Sequence, residues 1–265
     1  MSEFKDKVVW ITGASSGIGE ALVKKFASLG SKIILSARNS EELNRVAKEA
    51  SLHESRFLIL PFDLADTSNA VDLLHEILHK FGRIDILINN GGFSQRAEAM
   101  KTDMKMARKL MEVNYFAPVA LTNVVLPEMI KNGQGQIVVI SSIAGKFGFF
   151  LRSSYSAAKH ALHGYFESLR LETEGKGIKV LIVCPGKIKT NISLNAVSEN
   201  ETRHGKMDPS HKNAMSAEDC AEEIKEGIKN SKEEIFIGGK ELRAIWVKRF
   251  FPSIFSRAIR KQNPL

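Results

Sequence analysis

Short apolar runs alternate with helical patterns along most of this chain, and this alternation is the strongest constraint on its fold. The run at 8–12, Val-Val-Trp-Ile-Thr, is apolar and rich in β-branched residues, as a strand buried on both faces of a sheet requires. Similar runs are found at 32–36, 57–62, 84–88, 136–142, 180–184 and 234–237. The sequence therefore predicts an α/β fold in which helices cover both faces of a parallel sheet.

Two of the predicted helices have features that can be checked against a structure. Thr67 and Ser68 are of residue types that cap helices, and we expect one of them to begin the helix that ends at Phe81. A long helical pattern covers 104–131. We expect it to bend or break near Pro118, because proline lacks the N–H group that an uninterrupted helix uses.

A glycine-rich turn joins the first predicted strand to the first helix. Gly13, Gly17 and Gly19 supply what a pyrophosphate needs: a tight turn, close backbone approach and free N–H groups at a helix N-terminus. Without a ligand, the same glycines would simply make a tight connection. Their place in the first strand–turn–helix unit favours a dinucleotide site that includes Ser15 and Ile18, in a single-domain Rossmann-type doubly wound sheet.

The end of the second predicted strand indicates which dinucleotide is bound. An acidic residue there would hold the ribose 2′-hydroxyl of NAD, but the sequence at 36–39 is Ser-Ala-Arg-Asn. Arg38 matches a 2′-phosphate in charge and geometry, and Ser15 could add a hydroxyl, so we expect NADP(H). Arg38 could instead be an ordinary solvated residue. Asp63 could accept from the adenine amino group or cap the helix that follows.

Tyr155 and Lys159 are four residues apart in a helical segment, so their side chains share one face. A free tyrosine with a pKa of about 10 is a poor acid or base at neutral pH, and a nearby ammonium would lower that pKa. Ser142, at the end of the fifth predicted strand, could hydrogen-bond a substrate oxygen beside the phenol. These three residues predict general acid–base chemistry at an oxygen atom.

Composition limits the other classes of function. The chain has 265 residues, 43% of them hydrophobic, and a formal net charge of +8, which fits one globular domain over 1–265. We expect no nucleic-acid partner and no metal, because neither an aromatic and basic platform nor zinc-ligand spacing accompanies the charge. Two cysteines, no opening signal peptide and no apolar run that could span a bilayer predict a cytoplasmic location.

Six motifs resemble the short-chain dehydrogenase/reductase family and follow that family's order and spacing. They are Thr-Gly-Ala-Ser-Ser-Gly-Ile-Gly at 12–19, Asn-Asn-Gly-Gly at 89–92, Asn114, Ser142, Tyr-Ser-Ala-Ala-Lys at 155–159 and Pro-Gly-Lys-Ile-Lys-Thr at 185–190. The resemblance covers about 5–190. The segment Asn-Gly-Gly-Phe-Ser-Gln-Arg at 90–96 also resembles the branch of membrane-associated members that act on steroid- or retinoid-like carbonyls.

The resemblance implies a role for each candidate catalytic residue. Tyr155 would protonate the carbonyl oxygen, or act as the base in the reverse direction, and Ser142 would bind and polarise that oxygen. Lys159 would lower the pKa of Tyr155 and hold the nicotinamide ribose. Asn114 would keep a kink in its helix and hold a water in a proton relay that reaches Lys159.

The resemblance also implies cofactor contacts and an assembly. Asn90 would fix the sheet beside the cofactor, and Ile188 and Thr190 would contact the carboxamide end of the nicotinamide. Members of the family usually assemble through the helices that here would carry Asn114 and Tyr155. We therefore expect a homodimer or a homotetramer.

The polar stretch 190–215 lacks clear periodicity and follows the sixth predicted strand. Its place over the carboxyl ends of the strands favours a substrate lid. The lid residues expected to decide the substrate are Asn191, Asn195, His204 and His211.

The C-terminal tail, 239–265, alternates aromatic and aliphatic residues with basic ones. Pro252 should divide it into two short helical segments. A basic amphipathic segment with Trp and Phe suggests peripheral contact with a membrane surface. The alternative is an apolar face that packs on the domain or on another subunit.

Together these features predict an NADP(H)-dependent oxidoreductase that interconverts a carbonyl compound (a ketone, aldehyde or quinone) and an alcohol by hydride transfer. Its partner would be that small molecule. The alternative is a regulator that binds NADP(H) and senses redox state without turnover, which would have no need of the acid Tyr155.

Overall fold

The computed structural model describes residues 2–190, 196 and 214–262. The strands in this part of the chain are β1 Val8–Thr12, β2 Lys32–Ser36, β3 Phe57–Ile59, β4 Ile86–Asn89, β5 Gly135–Ile140, β6 Ile178–Pro185 and β7 Glu234–Ile237. They form one sheet in the order β3-β2-β1-β4-β5-β6-β7, and each neighbouring pair is parallel. The predicted Rossmann-type, doubly wound parallel sheet is therefore confirmed.

Helices cover both faces of this sheet, as predicted. They are α1 Gly17–Ser28, α2 Ser40–Glu49, α3 Ala70–Phe81, α4 Met104–Met111, α5 Ala117–Lys131, α6 Ser153–Glu172, α7 Ala217–Lys229, α8 Arg243–Phe250 and α9 Pro252–Arg260. Buried side chains of α1, α2 and α7 form one core cluster with one face of the strands. Those of α3, α5 and α6 form a second cluster with the other face. Within β1, Val9 belongs to the first cluster and Trp10 to the second, because alternate side chains of a strand point to opposite faces.

Two strands end earlier than the sequence predicted. The third run was expected to extend over 57–62, but β3 ends at Ile59, although the N–H groups of Leu60 and Phe62 still donate to the carbonyls of Leu35 and Ala37 at 3.0 and 3.2 Å. The fifth run was expected to reach Ser142, but β5 ends at Ile140. Ser142 instead accepts a hydrogen bond from the Ala144 N–H at 3.1 Å and begins a short turn.

The predicted cap of α3 is wrong. The N-cap residue is Asn69, and its side chain makes no capping hydrogen bond. Ser68 is used differently, since its N–H donates to the Asp66 carboxylate at 3.0 Å. Thr67, Ser68 and Asn69 are all of capping type and adjacent, so residue type alone does not distinguish among them.

The long helix expected over 104–131 is interrupted before Pro118 rather than at it. A π-helical segment, Glu112–Phe116, separates α4 from α5, and Pro118 lies in the first turn of α5, where a missing N–H group costs little. The wide turn contains Asn114, whose side-chain Nδ2 donates to the Leu110 carbonyl at 3.0 Å. The interruption therefore coincides with a candidate site residue.

The tail forms two short helices, and Pro252 begins the second of them, as predicted. The described part of the tail is α8 and α9, with a short turn before them. None of the helices described has both the length and the apolar character needed to cross a bilayer.

Candidate active site

The predicted site residues lie together at the carboxyl ends of the strands. The chain leaves β1 through the glycine-rich turn and β4 through the segment 89–92, while Ser142 follows β5 closely. Since β1 and β4 are neighbours whose connections lead to opposite sides of the sheet, a crevice forms between their carboxyl ends. The helix α6 adds Tyr155 and Lys159, and each of these side chains is only 5% exposed.

Lys159 is held by the backbone of the neighbouring strand. Its Nζ donates to the Ile140 carbonyl at 2.8 Å and lies 5.8 Å from the centre of the Tyr155 ring. No carboxylate of the described residues pairs with this ammonium. Burial therefore lowers the pKa of Lys159 to about 8.

The pKa of Tyr155 does not follow the sequence prediction. Burial raises it above the ordinary value, whereas the positive charges of Arg152 and Arg96 and a hydrogen bond with the Ser142 side chain act in the opposite direction. Burial, and not the expected lowering by Lys159, therefore sets the direction of this shift in pKa. The prediction overlooked burial, which outweighs the positive charges near the phenol.

Asn114 is fully buried in the wide turn between α4 and α5. Its Nδ2 donates to the Phe93 carbonyl at 3.1 Å as well as to Leu110, but its Oδ1 has no hydrogen-bond partner among the described atoms. A Cβ placed on Gly92 would lie 2.6 Å from this Oδ1 and 3.7 Å from Lys159 Nζ. A buried acceptor and the ammonium thus lie beside the same glycine.

The glycine-rich turn leaves room for backbone and nothing more. Gly13 and Gly17 have φ values of +65° and +57°, a region that strains other residues. A Cβ on Gly19 would lie 2.1 Å from the Gly13 carbonyl oxygen, and one on Gly17 would lie 3.1 Å from Thr190 Cγ2. We call this turn the glycine cradle, because a side chain at Gly13, Gly17 or Gly19 would occupy the space beside its backbone.

Asn90 and Thr12 tie β4 to this turn. The Asn90 Nδ2 donates to the Thr12 carbonyl at 2.9 Å and to the Gly13 carbonyl at 3.3 Å. In return, the Thr12 hydroxyl accepts from the N–H groups of Asn90 and Gly91, both at 3.0 Å. Asn90 therefore joins β4 to the glycine-rich turn, and Thr12 is a supporting residue that the sequence analysis did not single out.

Arg38 lies in the solvent-exposed segment after β2. No acidic side chain stands at this strand end: Ser36 is buried and its hydroxyl accepts from Trp10 Nε1 at 2.8 Å. Asn39 caps α2, with its side chain accepting from two N–H groups of that helix. Arg38 is therefore the one charged side chain in the sequence 36–39 that could meet a phosphate.

The remaining cofactor candidates have different surroundings. Ser15 and Ile18 are half-buried in the turn, and Ile18 also packs on the core. Ile188 is buried and pairs with Met215 in a β-bridge. Asp63 is exposed and its carboxylate accepts from the Ala65 N–H at 3.0 Å. This is a local turn before α3, whose N-cap residue is Asn69, so Asp63 does not cap that helix.

Gln95 is a supporting residue that the sequence did not indicate. It is fully buried, and its Oε1 accepts from the N–H groups of Ser154 and Tyr155 at 3.1 and 3.4 Å. It therefore caps the first turn of α6 from a segment about 60 residues earlier. Only the polar sequence around it hinted at a role, and a pairing this distant leaves no local pattern.

An apolar wall adjoins Tyr155. The partly buried rings of Phe93 and Phe149 pack on a small cluster made of Met106, Leu110, Ala144 and Tyr155. The four residues of the predicted lid that were expected to decide the substrate, Asn191, Asn195, His204 and His211, lie outside the described residues. The described side of the crevice is therefore mostly apolar around the phenol.

A second buried polar group lies behind Ser142. His163, Cys184 and Glu234 have donor atoms within 4.8 Å of one another. The Lys146 ammonium is 2.5 Å from a Glu234 oxygen, and the Ser141 hydroxyl is 3.1 Å from His163 Nε2. Lys146 thus already provides the cation of this cluster, and burial together with Lys146 lowers the pKa of His163 to about 3.

These observations define a class of protein. The crevice between β1 and β4, the glycine cradle at a helix N-terminus and the orphaned Asn114 oxygen fit a bound dinucleotide. A buried tyrosine, lysine and serine adjoin that cradle. The fold is an NAD(P)-binding fold with the side chains of an oxidoreductase.

Comparison with known proteins identifies the family. The family profile described as short chain dehydrogenase matches residues 7–201. The chain is 43% identical over 242 residues to the human dehydrogenase/reductase SDR family member 7, covering 89% of this chain and 71% of that protein. It is 40% identical over 262 residues to the SDR family protein 7-like of Anopheles gambiae, covering 97% of this chain and 83% of that protein. The chain belongs to the short-chain dehydrogenase family, which confirms the resemblance.

Solved structures agree with this assignment. A short-chain dehydrogenase from Streptomyces avermitilis has a TM-score of 0.82 at 29% identity, over 97% of this chain and 96% of that one. A serine dehydrogenase solved with NADP+ has a TM-score of 0.79 at 25% identity, over 87% and 94%. A family member from Burkholderia phymatum, solved with NAD, has a TM-score of 0.85 at 23% identity, over 96% of each chain, and shows the fold alone.

Proposed function

We propose that this protein is an NADP(H)-dependent oxidoreductase that interconverts a ketone, aldehyde or quinone and the corresponding alcohol. The observation that carries the proposal is the buried Tyr155 phenol, with the Lys159 ammonium 5.8 Å from the centre of its ring and the Ser142 side chain near enough to act on its pKa. A buried phenol with hydroxyl and ammonium neighbours is suited to exchange a proton with a substrate oxygen.

Different residues of the chain have different roles at the substrate oxygen. The bound nicotinamide supplies or accepts the hydride. Ser142 and Tyr155 orient the carbonyl oxygen by hydrogen bonds, and Tyr155 gives it a proton or removes one in the reverse direction. The wall formed by Phe93 and Phe149 excludes water from the reacting carbon.

A proton must then return to Tyr155. Lys159 Nζ and the unpartnered Oδ1 of Asn114 both lie beside Gly92. A water held between an acceptor and an ammonium would connect them, since buried waters typically satisfy such orphaned groups. With a pKa of about 8, Lys159 can release and regain a proton near neutral pH.

Arg38 supports NADP(H) over NAD(H). It is exposed after β2, at the place where an acid would otherwise hold a ribose hydroxyl. A guanidinium and a 2′-phosphate form charge-assisted hydrogen bonds, each worth about 1.5–3 kcal/mol.

The reaction is tested by following nicotinamide absorbance with NADPH and with NADH. The substrates form a panel of steroid, retinoid, aromatic and quinone carbonyls. We expect turnover with NADPH and weak turnover with NADH, and Tyr155→Phe should reduce turnover at least about 100-fold while NADPH still binds. Binding of both cofactors without consumption of either, in both directions, would reject the proposal in favour of a redox-sensing regulator.

The cofactor preference is tested by Arg38→Ala. We expect the KM for NADPH to rise about tenfold or more, with little change for NADH. Lys176→Ala is the matched control, because it removes an exposed positive charge just before β6 begins, at the opposite edge of the sheet. An equal loss with both cofactors would contradict the assigned role of Arg38.

A further inference from the structure

The segment 239–262, which we call the basic tail, concentrates the positive charge of the protein. It contains seven basic side chains and one acidic one, so it accounts for most of the formal net charge of +8. The remainder of the chain is close to neutral. The charge of this protein is therefore a local feature and not a property of its whole surface.

Four large apolar side chains of the basic tail face solvent. Their exposed fractions are 58% for Trp246, 60% for Phe250, 59% for Phe251 and 57% for Ile254. The rings of Trp246 and Phe250 are stacked, with their centres 6.0 Å apart and their planes 2° from parallel. We call these four residues the apolar elbow, because they lie where α8 meets α9.

The apolar elbow is exposed even though the basic tail packs on the domain. The Phe255 ring of α9 contacts the buried Phe147 ring at 5.0 Å. Lys248 Nζ of α8 donates to the Lys146 carbonyl at 2.6 Å. The basic tail is thus attached to the domain by one set of side chains, which leaves the apolar elbow on the outer side.

The positive charge around the apolar elbow favours an anionic bilayer over a second copy of the chain as its partner. Lys248, Arg249, Arg257 and Arg260 are exposed on the same two helices. A second copy of the chain would bring the same positive charge against this surface, and like charges in an interface oppose association. Trp and Phe among Lys and Arg match the boundary of a bilayer, where rings enter the acyl region and basic groups meet anionic headgroups.

We propose that the basic tail binds the surface of an anionic bilayer, with the apolar elbow inserted at the headgroup boundary. The attachment is peripheral, because α8 and α9 have eight and nine residues and a bilayer core requires a helix of about 20. Each basic side chain near the surface adds to the attraction and makes it sensitive to salt.

The two tryptophans of the chain make the test direct. Trp10 is fully buried in the sheet and Trp246 is 58% exposed, so a change in emission on adding vesicles reports on Trp246. The full chain, without cofactor or substrate, is mixed with vesicles of phosphatidylcholine, either alone or with phosphatidylglycerol. We expect a blue shift, weaker acrylamide quenching and binding roughly tenfold or more tighter to the anionic vesicles, largely lost in high salt.

Paired variants separate the two parts of the proposal. Phe250→Ser with Phe251→Ser should abolish insertion, and Arg249→Gln with Arg257→Gln should remove the preference for anionic vesicles. Met100→Ser with Met104→Ser is the control, since these exposed apolar side chains (91% and 62%) lie outside the basic tail, and it should bind as the wild type does.

Two outcomes would overturn the proposal. One is unchanged Trp246 emission with every vesicle. The other is a blue shift that depends on protein concentration without vesicles, which would assign the apolar elbow to a second copy. Because no turnover is measured, neither outcome bears on the proposed reaction.

Discussion

At the residue scale, the ammonium group of Lys159 is buried, and burial disfavours its charged form. Its Nζ has a backbone carbonyl as partner, and its pKa falls to about 8 in the folded protein. An unfolded chain would keep the ordinary value of 10.5. Between these two pH values the unfolded state binds more protons than the folded state, so this one group makes the protein more stable as pH rises.

We therefore predict how Lys159→Met alters the pH dependence of stability. Relative to the variant, the wild type should gain about 3 kcal/mol in free energy of unfolding between pH 8 and pH 10.5. Burial raises the pKa values of Tyr155, Cys184 and Cys220 and keeps these groups protonated in the folded state of both proteins. Their contributions therefore cancel in the difference. Urea unfolding at several pH values measures it, and a flat difference would show that Lys159 is not desolvated.

Gly19 permits the closest backbone approach in the cradle. Gly19→Ala would place a methyl group 2.1 Å from the Gly13 carbonyl oxygen, and we predict that it destabilises the protein by about 1–3 kcal/mol and abolishes NADPH binding. Gly164→Ala is the matched control, because this exposed glycine of α6 has open space around its Cα. The control should stabilise by about 0.5–1 kcal/mol. Denaturation and NADPH titration check both variants, and equal effects would contradict the steric argument.

At the element scale, the wide turn between α4 and α5 depends on one side chain. Asn114→Ala removes the donor to the buried carbonyls of Phe93 and Leu110, which should cost about 1–3 kcal/mol and lower kcat. Asn123→Ala on α5 removes an exposed hydrogen bond to Tyr165 and should cost less than about 1 kcal/mol. Urea unfolding and steady-state kinetics measure the contrast. If Asn114→Ala were as stable and active as Asn123→Ala, the wide turn would not depend on Asn114.

The sequence was informative about elements wherever the relevant signal is local. Continuous apolar runs predicted the buried parallel strands, because such strands have no solvent face. The same reasoning placed Tyr155 and Lys159 on one helix face. It failed at the end of β3, which stops at Ile59, and at the cap of α3, where Asn69 is the N-cap residue without a side-chain capping bond.

Non-local contacts explain what could not be predicted about the site. Gln95 caps α6 across about 60 residues, and no spacing rule connects the two segments. The direction of the Tyr155 pKa shift was also missed, because burial by the surrounding segments outweighs the positive charges near the phenol. Propensity and periodicity describe neighbours in sequence, whereas these effects arise from neighbours in space.

At the scale of the whole molecule, the expected oligomer needs an apolar surface beside the wide turn. Phe116, in the π-helical segment, is 49% exposed, and its ring contacts Tyr115 at 4.9 Å. We predict a homodimer or homotetramer that Phe116→Glu converts to a monomer of 29.4 kDa, since an unpaired charge is costly in an interface core. Light scattering after gel filtration measures the mass.

Val71→Glu is the matched control for that experiment. Val71 is 52% exposed on α3, which is outside the expected interface, so this variant should keep the mass of the wild type. A wild-type protein that is monomeric at every concentration would contradict the expectation of an oligomer.

The polarity of the sheet also has a practical use. The crevice lies at the carboxyl ends of the parallel strands, so the turns at their amino ends contain none of the candidate site residues. Gly82 and Gly175 lie in two of those turns, each with positive φ and with open space around its Cα. An epitope or fluorophore inserted there would report on folding without touching the crevice.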